Sequence, residues 1–222
     1  MKKATYSMIA AGALILASCG GAEKPEATEA KDAGEVAKVE EKVESVVYNV
    51  DVAASSLEWT GGKITGDEHT GTVALKSGSL TSEGGNLIAG DFVIDMTSMA
   101  NTDLAEDQGN AKLVGHLSGT DFFNVEEHPT SSFAITGVEA VTGEEGVTHH
   151  VSGNLTIMGV AKEIKIPANV TMEDSKIMAS AMFTINRTDW GVKYGSGSFF
   201  DNLGDNVIND DISYKLNLVA AK

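Results

Sequence analysis

The chain has 222 residues and a formal charge of −16 at pH 7, with 42% hydrophobic but only 6% aromatic side chains. So acidic a surface repels nucleic acid and anionic membrane faces, which excludes charge-driven binding to either. A single cysteine excludes an internal disulfide, so any fold must rest on its own apolar core.

Residues 1–18 read as a signal peptide. Lys2 and Lys3 form a basic start, Met8 to Ala17 supply a short apolar core, and Leu16-Ala17-Ser18-Cys19 resembles a lipobox cut before its cysteine. The apolar stretch is too short to span a bilayer permanently. Cys19 is therefore the expected lipidation site, which leaves no thiol for a nucleophile or a sulfur-ligated metal. Residues 19–45 read as a lipid-anchored tether rich in Ala, Glu and Lys, with a coil reach of roughly 30 Å. Val36, Val39, Val43 and Val46 would permit a short helix at its end, but a solvated linker is the preferred reading. With Lys2 and Lys3 removed, and with the eight acids and four lysines of the tether set aside, the remaining domain carries −14.

From Val46 onward, through a single domain at 46–222, the pattern changes to period two. Leu57-x-Trp59 opens it, followed by Ile88, Phe92, Ile94 and Met96, then Phe133-x-Ile135. Later sets are Ile164, Ile166, Ala168, Val170 and Met172; Ile177, Ala179, Ala181, Phe183 and Ile185; and Ile212, Tyr214, Leu216 and Leu218. Such alternation predicts half-buried strands. Gly61-Gly62, Gly84-Gly85-Asn86, Gly143 to Gly146 and Glu173-Asp174-Ser175 are the expected turns between them. Only Asp107 to Leu117 has a helical pattern. The sum is an all-β antiparallel fold with one or two short helices, and periodicity alone leaves barrel and sandwich open.

No catalytic set emerges. His149 and His150 point to opposite faces of a strand and cannot share a metal, and zinc would need ligands converging from separate loops. Asp201 to Asp211, DNLGDNVINDD, departs from EF-hand spacing and reads as a solvated acidic loop. Gly195-Ser196-Gly197-Ser198 is no nucleophile elbow. The informative segment is His116 to Phe133, HLSGTDFFNVEEHPTSSF, in which Phe122 and Phe123 stand together in acidic surroundings. Exposing both rings would be costly, so the segment must fold back onto an apolar surface.

These residues also resemble a known family. His116-Leu117 with Asp121-Phe122-Phe123-Asn124-Val125 and His128-Pro129 is similar to the central signature of the YceI-like proteins, with Asn124 where Asp is common. Tyr48 to Asp51, Trp59 to Gly71, Gly153 to Val160 and Ile185 to Val192 resemble its other motifs in order and spacing. The resemblance implies a lipocalin-like barrel of about eight strands around an elongated apolar cavity. It further implies a non-enzymatic carrier of an isoprenoid lipid, either a polyprenyl chain or a quinone, with no other cofactor or metal. Candidate lipid-binding residues on inward faces are Phe92, Ile94, Phe133, Ile135, Ile166, Val170, Phe183, Leu216 and Leu218, with Phe122 and Phe123 at one end; each has packed core as its alternative. Ala168, Ala179 and Ala181 are expected to leave volume unfilled. Arg187 is a candidate head-group ligand, with pairing to Asp189 the favoured alternative. The implied setting is a periplasm-facing outer-membrane lipoprotein of the cell envelope, held by its anchor, with a homodimer left open. The rivals are an enzyme acting on a barrel-bound lipid and a stress-related structural module whose barrel is filled by side chains.

Overall fold

The computed structural model describes residues 44–222. The signal segment, Cys19 and the tether to residue 43 lie outside the described residues. Within them run nine strands: β1 (Ser45–Val50), β2 (Ser56–Gly62), β3 (Glu68–Glu83), β4 (Asn86–Asn101), β5 (Thr130–Ala140), β6 (His149–Ile157), β7 (Val160–Glu173), β8 (Lys176–Asn186) and β9 (Asp211–Ala221). One α-helix, α1 (Asn110–Ser118), lies between β4 and β5. Every pairing is antiparallel. Strands β2 to β9 close into an eight-stranded barrel, β3 pairing with β4 on one side and β2 on the other. This is the expected architecture.

β1 and β2 fill one slot in two pieces, for each pairs with β3 and β9. Asp51 holds the break between them: its Oδ1 accepts from the backbone N–H of Ala53 and Ala54, both at 3.1 Å. Ser55 Oγ accepts from the Val219 N–H at 3.0 Å and so ties the break to β9.

Period-two alternation translates directly into burial along β7, β8 and β9, whose pairings run without interruption. Ile166, Ala168 and Val170 face inward from β7, as do Ile177, Ala181 and Ile185 from β8. β3 is different: its register against β4 shifts between Thr72 and Ala74, Leu75 and Ser77, and Thr81 and Ser82. Bulges of this kind bend and twist a long strand, as barrel closure requires. The shift between Leu75 and Ser77 also resets its alternation, and β3, like β1 and β6, is absent from the sets that periodicity picks out.

The last of these shifts corrects one expectation. Alternation places Ile88 with Phe92, Ile94 and Met96, yet it is 44% exposed while Leu87 is 6% exposed. Leu87 opposes Ser82 and Ala89 opposes Thr81, so Ile88 is the extra residue of the bulge and the faces exchange there. Gly61-Gly62 is likewise not a turn but the end of β2. A Cβ on Gly62 would stand 2.4 Å from the Asp67 carbonyl oxygen, so glycine is needed for the hairpin to close beside it. The helix begins at Asn110 rather than Asp107 because Gly109, at φ 97°, ends a 3-10 turn over Glu106–Gln108.

The hairpin at 63–67, the 102–129 connection with α1, and the loop at 187–210 all emerge at one end of the barrel, here the upper end. Two core clusters follow from this. The upper one joins Leu57, Trp59 and Met96 to Phe122, Phe123 and Trp190. The lower one is largely aliphatic and includes Leu75, Leu80, Leu87 and Ile177.

Candidate functional site

The aromatic pair hides as its chemistry demands. Phe122 and Phe123 are 5% and 7% exposed. Backbone bonds from Phe123 N–H to Leu117 O (3.1 Å), Asn124 N–H to Gly119 O (2.9 Å) and Val125 N–H to Ser118 O (2.9 Å) fold the segment back over the end of α1. Asn124 takes a positive φ of 43° there, and its Nδ2 donates to Glu127 Oε2 at 2.8 Å. Asparagine is among the residues that tolerate this conformation best. His116 and Tyr194 then pack edge-on at 4.7 Å between ring centroids, with Phe122 5.7 Å from Tyr194.

Below this roof lies a cavity of about 1020 Å³. That is at the upper end of the range for small-molecule sites. Its walls include Leu57 and Trp59 of β2, Met96 and Met99 of β4, Phe183 of β8, and Ile212 and Tyr214 of β9, with Leu113 and Leu117 from α1. Asp67, Glu68, Asp103, Tyr194 and Asn206 also line it and are exposed, so the cavity opens to solvent between the hairpin and the long loop. A second pocket of about 100 Å³ continues toward the lower end and is lined by apolar side chains.

Every candidate lipid-binding residue borders one of these spaces. Ile94, Phe122, Phe123 and Phe183 line the large cavity. Phe92, Ile94, Phe133, Ile135, Ile166, Val170, Phe183, Leu216 and Leu218 line the small pocket. Ala168, Ala179 and Ala181 border unfilled volume as expected, but it is the small pocket; the large space is surrounded mainly by bulky side chains. Phe183 and Tyr214 stack at 5.4 Å with planes 19° apart. Trp59 lies over Gly71, its partner on β3, where a Cβ would stand 2.3 Å from the indole Cζ2. Trp59, Met96, Ile212 and Tyr214 were legible as inward residues from their alternation but were not singled out; Met99, Leu113 and Leu117 gave no such signal.

Arg187 lines the large cavity and is 1% exposed. Its guanidinium donates to the carbonyls of Asn209 (3.0 Å), Val192 (2.8 Å) and Ile208 (3.2 Å) and to Asp210 Oδ1 (3.2 Å). The carboxylate partner is thus Asp210, not Asp189. Burial pulls the guanidinium pKa down, and the Asp210 charge partly offsets this. The group also stacks 5.6 Å over the Phe122 ring, joining the long loop to the roof.

The rim carries the polar groups. His69 Nδ1 lies 2.9 Å from Asp103 Oδ2, and Asp103 Oδ1 accepts from the Thr70 N–H at 2.8 Å and from Asn101 Nδ2. Burial raises the Asp103 pKa, but these hydrogen bonds outweigh it and hold the carboxyl below its ordinary value. Deeper in, burial pushes the Tyr214 phenol well up, so it is neutral throughout the physiological range. The Trp59 Nε1 is the buried side-chain polar atom without a hydrogen-bond partner among the described residues. Among those residues no cluster of three or more His, Cys, Asp or Glu side chains is arranged to hold a metal ion.

A closed antiparallel barrel with a one-ended apolar cavity and a polar rim is the class this geometry defines. The YceI-like domain family matches residues 48–220, and the chain belongs to that family. Among solved structures it is similar to BcnA of Burkholderia cenocepacia, with a TM-score of 0.58 and 22% identity over 78% of this chain and 99% of that one. A polyisoprenoid binding domain from Saccharophagus degradans gives a TM-score of 0.56 at 20% identity, over 78% of this chain and 97% of that one. In sequence it resembles a UPF0312 protein of Azotobacter vinelandii, 40% identical over 62 residues, which are 28% of this chain and 31% of that protein. A UPF0312 protein of Pseudomonas paraeruginosa is 30% identical over 97 residues, 41% of this chain and 49% of that protein. The chain spans about a third to a half of the length of these curated relatives.

Proposed function

We propose that the barrel binds an isoprenoid lipid, a polyprenyl chain or isoprenoid quinone, and sequesters or carries it without chemical change. The observation that carries this reading is the cavity of about 1020 Å³, whose wall is mostly apolar, with the Tyr214 phenol and the Arg187 guanidinium among its buried polar groups and further charged side chains at its mouth. Each methylene moved from water into such a space gains roughly 0.8 kcal/mol. Twenty carbons would give about 16 kcal/mol gross, close to the ceiling for non-covalent binding before costs are subtracted. The tail therefore supplies the affinity and the rim orients the head. The likeness to a structure described as a polyisoprenoid binding domain supports the same ligand class. The surroundings of the mouth favour a neutral head: the carboxylates of Asp67, Glu68 and Asp103 outnumber the one ammonium there, Lys63, and a pyrophosphate would meet their net negative charge.

In this reading Arg187 serves the head group by holding the long loop against the roof, and Phe122 and Phe123 cap the tail. Cys19 anchors the protein to the outer membrane, and the tether keeps the barrel near the bilayer from which the ligand is drawn. Mass spectrometry of lipids extracted from the purified protein tests the proposal. A co-purifying isoprenoid is the expected result. No such lipid, together with no binding of added isoprenoid quinone, overturns it.

A further inference from the structure

Four residues border both spaces: Leu57, Ile94, Leu155 and Phe183. They belong to β2, β4, β6 and β8, every second strand of the barrel. In the eight-stranded barrels of TIM-type enzymes inward side chains stack in layers of four contributed by alternate strands, and these four, which separate the two spaces, stand in the same alternate-strand arrangement. Above it lies the open cavity. Below it, the pocket of about 100 Å³ holds three or four water-sized groups at roughly 30 Å³ each, less than a five-carbon isoprene unit.

We infer that this layer is a chain-length gauge: it stops the tail of an isoprenoid ligand, and the apolar pocket beneath it is reserve volume that opens when the layer is cut back. The inference rests on the carrier reading above and adds to it where the tail ends and which residues decide. The charged side chains Asp67, Glu68 and Asp103 lie at the mouth and the lower pocket is wholly apolar, so the ligand enters tail first and its terminal unit meets Leu57, Ile94, Leu155 and Phe183. Ligands short of the layer gain affinity with each added unit. A ligand one unit too long must either displace packed side chains or leave a unit exposed at the mouth.

The test uses the purified full chain and polyprenyl alcohols stepped by one isoprene unit, with binding followed by calorimetry. In the unaltered protein affinity climbs with length to a limit and then stops climbing. Leu155→Ala joins the two spaces, so the first alcohol past that limit binds at least about tenfold tighter than it does to the unaltered protein. Adding Ala181→Leu to Leu155→Ala fills the reserve pocket, which Ala181 lines, and returns the limit to its original length. Phe183→Leu trims the layer with less loss of packing and moves the limit the same way, should Leu155→Ala fail to fold. An unchanged limit in folded variants that all bind the series overturns the gauge and leaves the carrier reading standing. No binding of any alcohol by the unaltered protein overturns the gauge, and the carrier reading falls with it where no isoprenoid co-purifies and added isoprenoid quinone does not bind either.

Discussion

At the lower end of the barrel Leu75, Leu80 and Leu87 meet around a space of about 100 Å³; at the upper end Trp59, Met96, Met99 and Tyr214 surround about 1020 Å³. The larger side chains enclose the larger void. Residue volume therefore does not by itself decide which end is filled. Leu75, Leu80, Leu87 and Ile177 are buried together in the lower cluster. In the upper half Trp59 lies against Gly71 of the neighbouring strand and so takes up less of the interior. The packed half supplies stability, while the open half is roofed by α1 and two loops that must be held in place by other means.

Arg187 is the chief of those means, and its removal gives the largest expected effect. Arg187→Ala leaves the carbonyls of Val192, Ile208 and Asn209 and the Asp210 carboxylate without their donor. Breaking a buried charged pair of this kind costs about 3–5 kcal/mol. At about 2–4 °C per kcal/mol for a domain of this size, the melting temperature should fall by roughly 6–20 °C in calorimetry. Arg187→Lys should recover little, because an ammonium cannot reproduce the forked geometry. A loss below about 1 kcal/mol would mean that the upper end does not depend on this residue.

A matched pair of truncations measures the contrast itself. Leu80, 2% exposed in the lower cluster, should cost about 2–5 kcal/mol as Leu80→Ala in denaturant unfolding. Met96 already borders empty space, so Met96→Ala forfeits fewer contacts and should cost about 1–2 kcal/mol. Ligand affinity should respond in the opposite order, falling for Met96→Ala and holding for Leu80→Ala. Equal stability losses would show that the two ends are packed alike.

How much of this was visible in the sequence depends on register. β7, β8 and β9 pair without slips, so their apolar residues recur every second position and show the strands outright. β3 carries three slips, and its inward residues Val73, Leu75 and Leu80 do not share one phase. The same effect misplaced Ile88. Partners distant in the chain were hidden for a related reason. Asp189 was the obvious mate for Arg187, but the β8–β9 pairing sets Asn186 opposite Asp211 and so brings Asp210 alongside instead. The cavity was half legible. Part of its wall follows from alternation, but that Trp59 lies against the sheet depends on Gly71, which faces it on β3. Small residues drew attention to the alanines, which mark the narrower space.

The smallest expected effect is at the rim, where pH should separate the two ends. Asp103 has its pKa lowered on folding, so its carboxylate stabilises the native state above its ordinary value of 3.8. That contribution disappears as pH falls below 3.8 and through the depressed native value, because protonation then removes an acceptor for His69, Thr70 and Asn101. The carboxyl is 30% exposed, so solvent screening limits the loss to no more than about 1 kcal/mol. Asp103→Asn should flatten that part of the acid limb of the stability curve, with little change near neutrality beyond the loss of the charged acceptor. Hydrogen exchange gives the spatial readout. On acidification, amides of the β2–β3 hairpin, Thr70 among them, should lose protection before those of β8 and β9 in the lower half. Simultaneous loss at both ends would mean that the rim network does not act separately from the barrel it closes.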